Sequence, residues 1–245
     1  MQKNPKTYFN WSSGKDAALA LCYLQRSGKY HIDRLLTTVN THHNRVSMHG
    51  LRRELLERQV QEIGLPLTTI ELPEEPTMEV YNTAMERVIG KLNSEGYTHC
   101  GFGDIFLEDL RIYRETKLSP YDIECCFPLW KRDSKELITE FLDLGFRAII
   151  IALNSEVLDV SFAGREIDEN FLKDLPSNVD PCGENGEFHT FCFDGPIFTN
   201  PVEFTLGEKV YREYKRPKDQ DTSTVGHSMG FWFSDLLPIE KRQNN

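Results

Sequence analysis

No apolar run in this 245-residue chain approaches the roughly 20 residues that a membrane-spanning helix needs. Positive charge is also short: 28 Lys and Arg face 38 Asp and Glu, for a net charge of -10. A protein that coats DNA or RNA carries a cationic footprint, so general nucleic-acid binding is not expected. A local basic pocket for a phosphorylated small molecule remains compatible with that balance. Cys22, Cys100, Cys125, Cys126, Cys182 and Cys192 form no C-x-x-C pair, which removes the support for a zinc ribbon or a thioredoxin-like motif. Buried free thiols in a reducing cytoplasm are the expectation. The start of the chain is polar and lacks a signal-peptide layout, which also points to the cytoplasm. Internal repeats and low-complexity tracts are missing. What remains is an ordinary folded composition, long enough for one large α/β domain or a large domain with a small appendage.

Apolar strand-like runs alternate with helix-period segments over the first two thirds of the chain. Strands are expected at residues 7–11, 34–39, 67–72, 99–102, 123–129 and 147–153. Helices are expected at 16–27, 51–63, 80–96, 108–117 and 133–144, with Asp133 as the cap of the last. Such alternation predicts right-handed crossovers and a parallel sheet covered by helices on both faces. The pattern changes near Asn154. Residues 180–235 are rich in Gly, Pro, Phe and Tyr, with short alternating runs at 188–193 and 202–206, which predicts a smaller mixed or antiparallel portion. The division expected is therefore 1–153 and 154–245. Residues 216–224 read as a polar loop and the tail after Ile239 as frayed. The run Phe231-Trp232-Phe233 suits either core packing or a homodimer interface.

Three clusters carry chemistry. The first strand ends in Trp11-Ser12-Ser13-Gly14-Lys15-Asp16 and a helix starts at once. A short Ser/Gly turn there exposes backbone N–H groups, and the helix N-terminus adds its positive dipole end, so the geometry suits phosphate. Lys15 adds a point charge. The alternative is a tight turn with Asp16 as a helix-start acid. It is not G-x-x-x-x-G-K-[ST], which would need Gly at Phe9 and Ser or Thr at Asp16. The second cluster, Gly101-Phe102-Gly103-Asp104, follows the fourth strand. Asp104, Glu108, Arg111 and Glu115 share one face if helical; Arg111 suits a carboxylate or phosphate and Asp104 suits Mg²⁺, and a solvated ion-paired face is the alternative. The third, Asp180 to Phe191, sets Gly183, Glu184, Gly186, Glu187 and His189 in one short loop before an apolar strand. These side chains suit a metal, ammonia or a cationic substrate, and an ordinary hairpin loop is the alternative. Thr41, His42, His43 and His49 follow the second strand, where such folds receive adenine or ribose; His42-His43 alone is no zinc motif. Thr38 lies at that strand's end. Trp130 suits a pocket wall or core packing. Arg165 suits phosphate or substrate, or an ion pair with Glu166 or Asp168.

The first loop resembles S-G-G-x-D-S, the pyrophosphate loop of enzymes that cut ATP between the α and β phosphates. Ser12, Gly14 and Asp16 match, while Ser13 replaces Gly and Ala17 replaces Ser. Taken with Gly103, Arg111 and Glu115, with Pro128-Leu129-Trp130, and with Gly183-Glu184-Asn185-Gly186-Glu187-Phe188-His189-Thr190-Phe191, the chain resembles the diphthine–ammonia ligase family over residues 7–200. The first loop is closer to bacterial-type members. The resemblance implies a Rossmann-like, HUP-type ATP domain (the PP-loop group) followed by a smaller α+β substrate portion. It implies ATP and Mg²⁺, ammonia, and a carboxylate acceptor of unknown identity. A carboxylate attacks the α-phosphate, pyrophosphate leaves, and ammonia displaces AMP from the acyl-adenylate. The site residues it implies are Ser12, Ser13, Gly14, Lys15, Asp16, Thr38, His49 and Gly103 for the nucleotide, and Asp16 and Asp104 for Mg²⁺. Lys15, Asp104, Glu184, Glu187 and His189 are implied for catalysis, and Arg111, Glu115, Trp130, Arg165, Gly183, Gly186 and Thr190 for the acceptor. Two other readings are a nucleotide sensor without turnover and an ATP pyrophosphatase acting on a small metabolite or tRNA.

Overall fold

The computed structural model describes residues 4–47, 49–215 and 228–239. The polar stretch at 216–224 and the tail after Ile239 lie outside these residues. Strand and helix alternate as the apolar spacing predicts: β1 (Lys6–Asn10), α1 (Lys15–Ser27), β2 (His31–Asn40), β3 (Arg45–Val46), α2 (Arg53–Ile63) and β4 (Leu67–Leu72). They continue as α3 (Met78–Ser94), β5 (His99–Gly101), α4 (Glu108–Leu118), β6 (Glu124–Cys126) and α5 (Ser134–Asp143). Five of these strands run parallel in the order β4-β2-β1-β5-β6, and the two-residue β3 folds back antiparallel on the end of β2. The chain thus starts in the middle, winds outward through β2 and β4, and crosses back to β5 and β6. The order reverses between β1 and β5, and ligands of open α/β sheets sit at that point, beyond the carboxyl ends of the strands.

Alternation along the strands builds the two faces. Phe9 and Leu35 point into one core with Leu19, Leu21, Leu55 and Leu56, from α1 and α2. Tyr8 and Leu36 point the other way, onto Ile89 and Leu92 of α3 and Leu118 of α4. α1 is buried along most of its length because Ala17, Ala18, Leu19, Ala20, Leu21 and Cys22 leave no polar face there. It ends where Gly28 enters the left-handed region, φ 63°. Asp133 caps α5 as predicted, its carboxylate accepting from Lys135 N (2.9 Å) and Glu136 N (3.1 Å).

One expectation is overturned. β7 (Arg147–Asn154) is not the last strand of the parallel sheet. It is central in a second, antiparallel sheet of order β8-β7-β10-β9, with β8 (Phe188–Asp194), β9 (Phe204–Lys215) and β10 (Ser228–Pro238). Every residue of β7 after Arg147 is buried. Burial on both faces writes the same continuous apolar run whichever sheet holds the strand. The changeover between sheets falls at α5. The buried residues of α1, α2 and α5 pack in one core with those of β7 and β8, so the second sheet lies against the helices on one side of the first. The short α6 (Glu169–Asp174) sets Phe171 edge-on against Phe188 of β8.

Candidate functional site

β1 delivers the chain to the point of strand-order reversal, and the turn there is held from several sides. Thr37 Oγ1 donates to Trp11 O (2.8 Å). Trp11 Nε1 donates to Gln59 Oε1 (2.8 Å), and Gln59 Nε2 donates to Ser13 O (3.0 Å) and Cys192 O (2.6 Å). Cys192 N adds a second bond to Ser13 O (2.9 Å). Ser13 itself is buried at φ 72°, a left-handed conformation that costs an L-residue about 1–2 kcal/mol. Gly14 is the N-cap of α1 and offers no side chain, so the Lys15 N–H donates instead to Thr190 Oγ1 of β8 at 3.0 Å. The antiparallel sheet therefore caps the helix of the parallel one. The remaining N–H groups of the first turn have no carbonyl of their own helix and carry the positive end of its dipole.

Gly103, just past β5, lies directly against that first turn. A Cβ there would meet Ala17 N at 2.8 Å and Asp16 C at 3.0 Å, so only glycine lets the two strand ends approach this closely. The neighbouring Asp104 pairs with Arg114 Nε at 2.8 Å.

Lys15 is 2% exposed, and its ammonium donates to both carboxylate oxygens of Asp16 (2.8 and 2.7 Å) and to Cys182 O. Burial alone would lower its pKa; Asp16, Cys182 and Glu184 together hold it above the ordinary range. Burial raises the pKa of Asp16 against the pull of Lys15. Glu184 is pushed up to about 8, first by burial and then by the charge of Asp16, with Asp104 and Asp180 adding to it and Lys15 opposing. Carboxyl groups from two separate segments thus converge around one buried ammonium, and Asp104 from a third lies close enough to act on Glu184.

The loop that brings Glu184 here is self-clamped. Asp180 accepts from Cys182 N at 2.8 Å and from Glu184 N at 3.4 Å. Glu187, 4% exposed, accepts from Asp180 N (3.0 Å), Asn185 N (2.8 Å) and Asn185 Nδ2 (3.0 Å). Gly183 sits at φ 73° with Phe188 O only 2.9 Å from any added Cβ, and Gly186 at φ 80°. His189 follows, its ring 4.7 Å from that of His49. Burial, then the charge of Lys15, lowers His189 to about 4. Burial, then His189, lowers His49 to about 3. Both imidazoles are neutral at physiological pH.

Beside the turn opens a cavity of about 230 Å³. Ser12, Thr38, Ser47 and His49 line one end, Leu36, Met85, Ile89 and Phe102 supply apolar walls, and Asn82, Arg114 and Lys117 add polar and positive groups from α3 and α4. Arg111 stands apart from it. Its guanidinium pairs with Glu115 at 2.8 Å and lies 4.7 Å from the Trp130 ring and 5.1 Å from Phe127. Phe127 stacks on Phe102 at 5.3 Å, and so connects this group to the cavity wall. Arg165 points elsewhere: it pairs with Asp174 at 2.9 Å and packs on Phe162 and Phe171, while Glu166 takes Arg147 at 2.7 Å.

Sequence reasoning missed two residues that organise the site. Gln59 lies one helical turn past Leu55, a polar residue on the buried stripe of α2, and that misfit is its signal. Arg114 has none, because the helical spacing from Asp104 and Glu108 singles out Arg111 instead.

Residues 133–219, from the cap of α5 through the Glu184 loop and beyond β8, match the family model described as diphthamide synthase C-terminal domain. The diphthine–ammonia ligases of Bos taurus and Homo sapiens are each 30% identical over 113 residues, covering 44% of this chain and 42% of theirs. Over these residues the chain is similar to the diphthine–ammonia ligase family. The ligase of Danio rerio is 28% identical over 116 residues, again 44% of its own length. The chain thus spans less than half the length of these diphthine–ammonia ligases. Among its described residues no helix is long and apolar enough to cross a membrane.

Proposed function

We propose that this protein binds ATP in the crevice between β1 and β5 and uses it to activate a carboxylate for amidation by ammonia, releasing AMP and pyrophosphate. One observation carries the reading: the first turn of α1, the cavity, and the carboxyl groups of Asp16, Asp104 and Glu184 all meet where the strand order reverses. The ring and ribose of ATP fill the cavity between α3 and α4, with Thr38 and His49 at the ribose end. The phosphates face Ser12, Ser13, Gly14 and the free N–H groups of the helix start, with Gly103 giving them room. Lys15, held by Asp16 and the Cys182 carbonyl, supplies positive charge that water does not screen.

The donor set fits Mg²⁺. Asp16, Asp104 and Glu184 are hard oxygen donors, and burial, with the charges of Asp16, Asp104 and Asp180 adding to it, raises Glu184 to about 8, a crowding of carboxyl groups that a cation would relieve. Bound there, the ion would offset the charge that develops on the α-phosphate and the leaving pyrophosphate. His189, neutral and with its ring 4.7 Å from that of His49, offers a ring nitrogen as a hydrogen-bond acceptor that orients an N–H of the ammonia nucleophile. Glu187 acts through the loop: its carboxylate is held by three N–H donors of its own segment and fixes Glu184. Arg111, with Glu115 and the Trp130 ring behind it, offers a cation to the acceptor carboxylate. The acceptor is a small molecule or a modified protein side chain, and the six unpaired thiols suit the cytoplasm.

ATP affinity and AMP release in Lys15→Ala and Glu184→Gln test this. The reading expects Lys15→Ala to weaken ATP binding and Glu184→Gln to bind ATP but release AMP at least tenfold more slowly. Unchanged binding and turnover in both would overturn it. Tight ATP binding with no turnover under any condition would leave a sensor in its place.

A further inference from the structure

We propose that His42, His43 and Glu74 form a binding site for one divalent transition-metal ion of the zinc type, separate from the Mg²⁺ carboxylates. The adjacent histidines belong to the turn between β2 and β3, and Glu74 to the loop between β4 and α3. His42 Nε2 lies 3.7 Å from Glu74 Oε2, His43 Nε2 lies 3.2 Å from Glu74 Oε1, and the ligand atoms of all three lie within 4.8 Å of one another. Two donors bound at about 2.0–2.1 Å to a tetrahedral ion are about 3.3 Å apart. These two separations bracket that value, and side-chain rotation of the exposed imidazoles brings the ligand atoms from within 4.8 Å of one another to that spacing.

The backbone beneath is already set. β2 and β4 are neighbours in parallel register up to Asn40 and Leu72. Thr41 donates to Leu72 O through both its N–H (2.8 Å) and its hydroxyl (3.0 Å). Asn40 Nδ2 donates to Pro73 O (3.3 Å) and Glu74 O (3.0 Å), while its Oδ1 accepts from His43 N (3.1 Å). A single asparagine thus ties the histidine turn to the glutamate loop, which is how outer groups orient ligands in metal sites. The other histidine–carboxylate pairs among the described residues, His31 with Asp33 and His99 with Glu124, each join one imidazole to one carboxylate. Two imidazoles and one carboxylate select zinc, nickel or copper over Mg²⁺, which prefers oxygen donors and retains its waters. The fourth position faces solvent and is left to water. An ion here would clip the turn between β2 and β3, which flanks Thr38 and Ser47 of the cavity lining, to the loop that leads into α3, which supplies Tyr81 and Asn82.

The test is titration of the chelator-treated full chain with Co²⁺, read by visible absorption, and with Zn²⁺, read by calorimetry. One equivalent of Zn²⁺ binds, Co²⁺ gives the intense bands of a four-coordinate site, and a hundredfold excess of Mg²⁺ does not displace either. His42→Ala, His43→Ala and Glu74→Gln each weaken binding at least tenfold, Asn40→Ala weakens it about 10–100-fold by loosening the ligands, and His31→Ala leaves it unchanged. These side chains are exposed, and a circular-dichroism melt identifies any variant that misfolds. Binding that survives all three ligand substitutions, that Mg²⁺ displaces, or that falls well below one equivalent would overturn the proposal.

Discussion

Substituting Gly103 tests how the two strand ends cooperate. A methyl group added at Gly103 would lie 2.8 Å from Ala17 N and 3.0 Å from Asp16 C, all backbone of the α1 first turn. Ordinary contact begins near 3.4 Å, so the turn must withdraw by about 0.6 Å, and overpacking of this kind costs about 1–3 kcal/mol. A withdrawal of that size moves the N–H groups proposed to hold the phosphates, and misplacements near 1 Å cost up to about 100-fold in function. Gly103→Ala should therefore weaken ATP binding about tenfold or more by calorimetry and lower the melting temperature by ~2–4 °C per kcal/mol lost. Two comparators isolate the cause. In Gly101→Ala the methyl meets the side chains of Phe9 (2.5 Å) and Leu24 (2.6 Å), so stability falls while the turn stays in place. In Gly90→Ala, within α3, it meets only Tyr121 Cε1 at 3.6 Å, and the helix should gain about 0.5–1 kcal/mol. If Gly103→Ala binds ATP like the parent and melts at the same temperature, the argument from close approach is wrong.

Three further outcomes follow from the same geometry. Thr190→Val keeps the shape but removes the acceptor of the Lys15 N–H, leaving a buried donor unpaired at a cost of about 1–3 kcal/mol in chemical denaturation; Thr190→Ser should restore most of it. Ser13→Gly removes a left-handed serine and should stabilise by up to ~1 kcal/mol, since the ~1–2 kcal/mol strain is partly offset by the greater freedom of glycine in the unfolded chain. Stability should also peak near pH 6.5. His49 and His189, at about 3 and 4 in the folded protein against an ordinary 6.5, bind fewer protons folded than unfolded, so they make stability rise with pH up to 6.5. Glu184, at about 8 against 4.5, holds a proton that the unfolded chain has released, so it makes stability fall between pH 4.5 and 8. Only the falling limb remains above 6.5, and urea melts of Glu184→Gln should show that limb reduced, with any remainder carried by the raised Asp16.

The parallel sheet was legible because strand-like apolar runs and period-3.6 helices alternate along it, with Asp133 marking the start of its last helix. β7 was legible as a strand but not as an antiparallel one, because burial on both faces erases the alternation that separates the two cases. The loops of the site were visible as Gly-rich breaks at strand ends. Their mutual contacts were not: Thr190 caps a helix 175 residues away, and no local spacing encodes that bond. Arg114 and Arg111 show the same limit. Both lie on α4, and only the position of Phe102 and Phe127 behind it decides which guanidinium reaches the cavity.

Incubating the protein with ATP labelled at the α-phosphate, Mg²⁺ and an ammonium salt, with and without cell extract, tests the central claim most directly. The account predicts labelled AMP with pyrophosphate, increased by extract and abolished in Glu184→Gln. Labelled ADP, or ATP that is bound and never cleaved with or without extract, would contradict it.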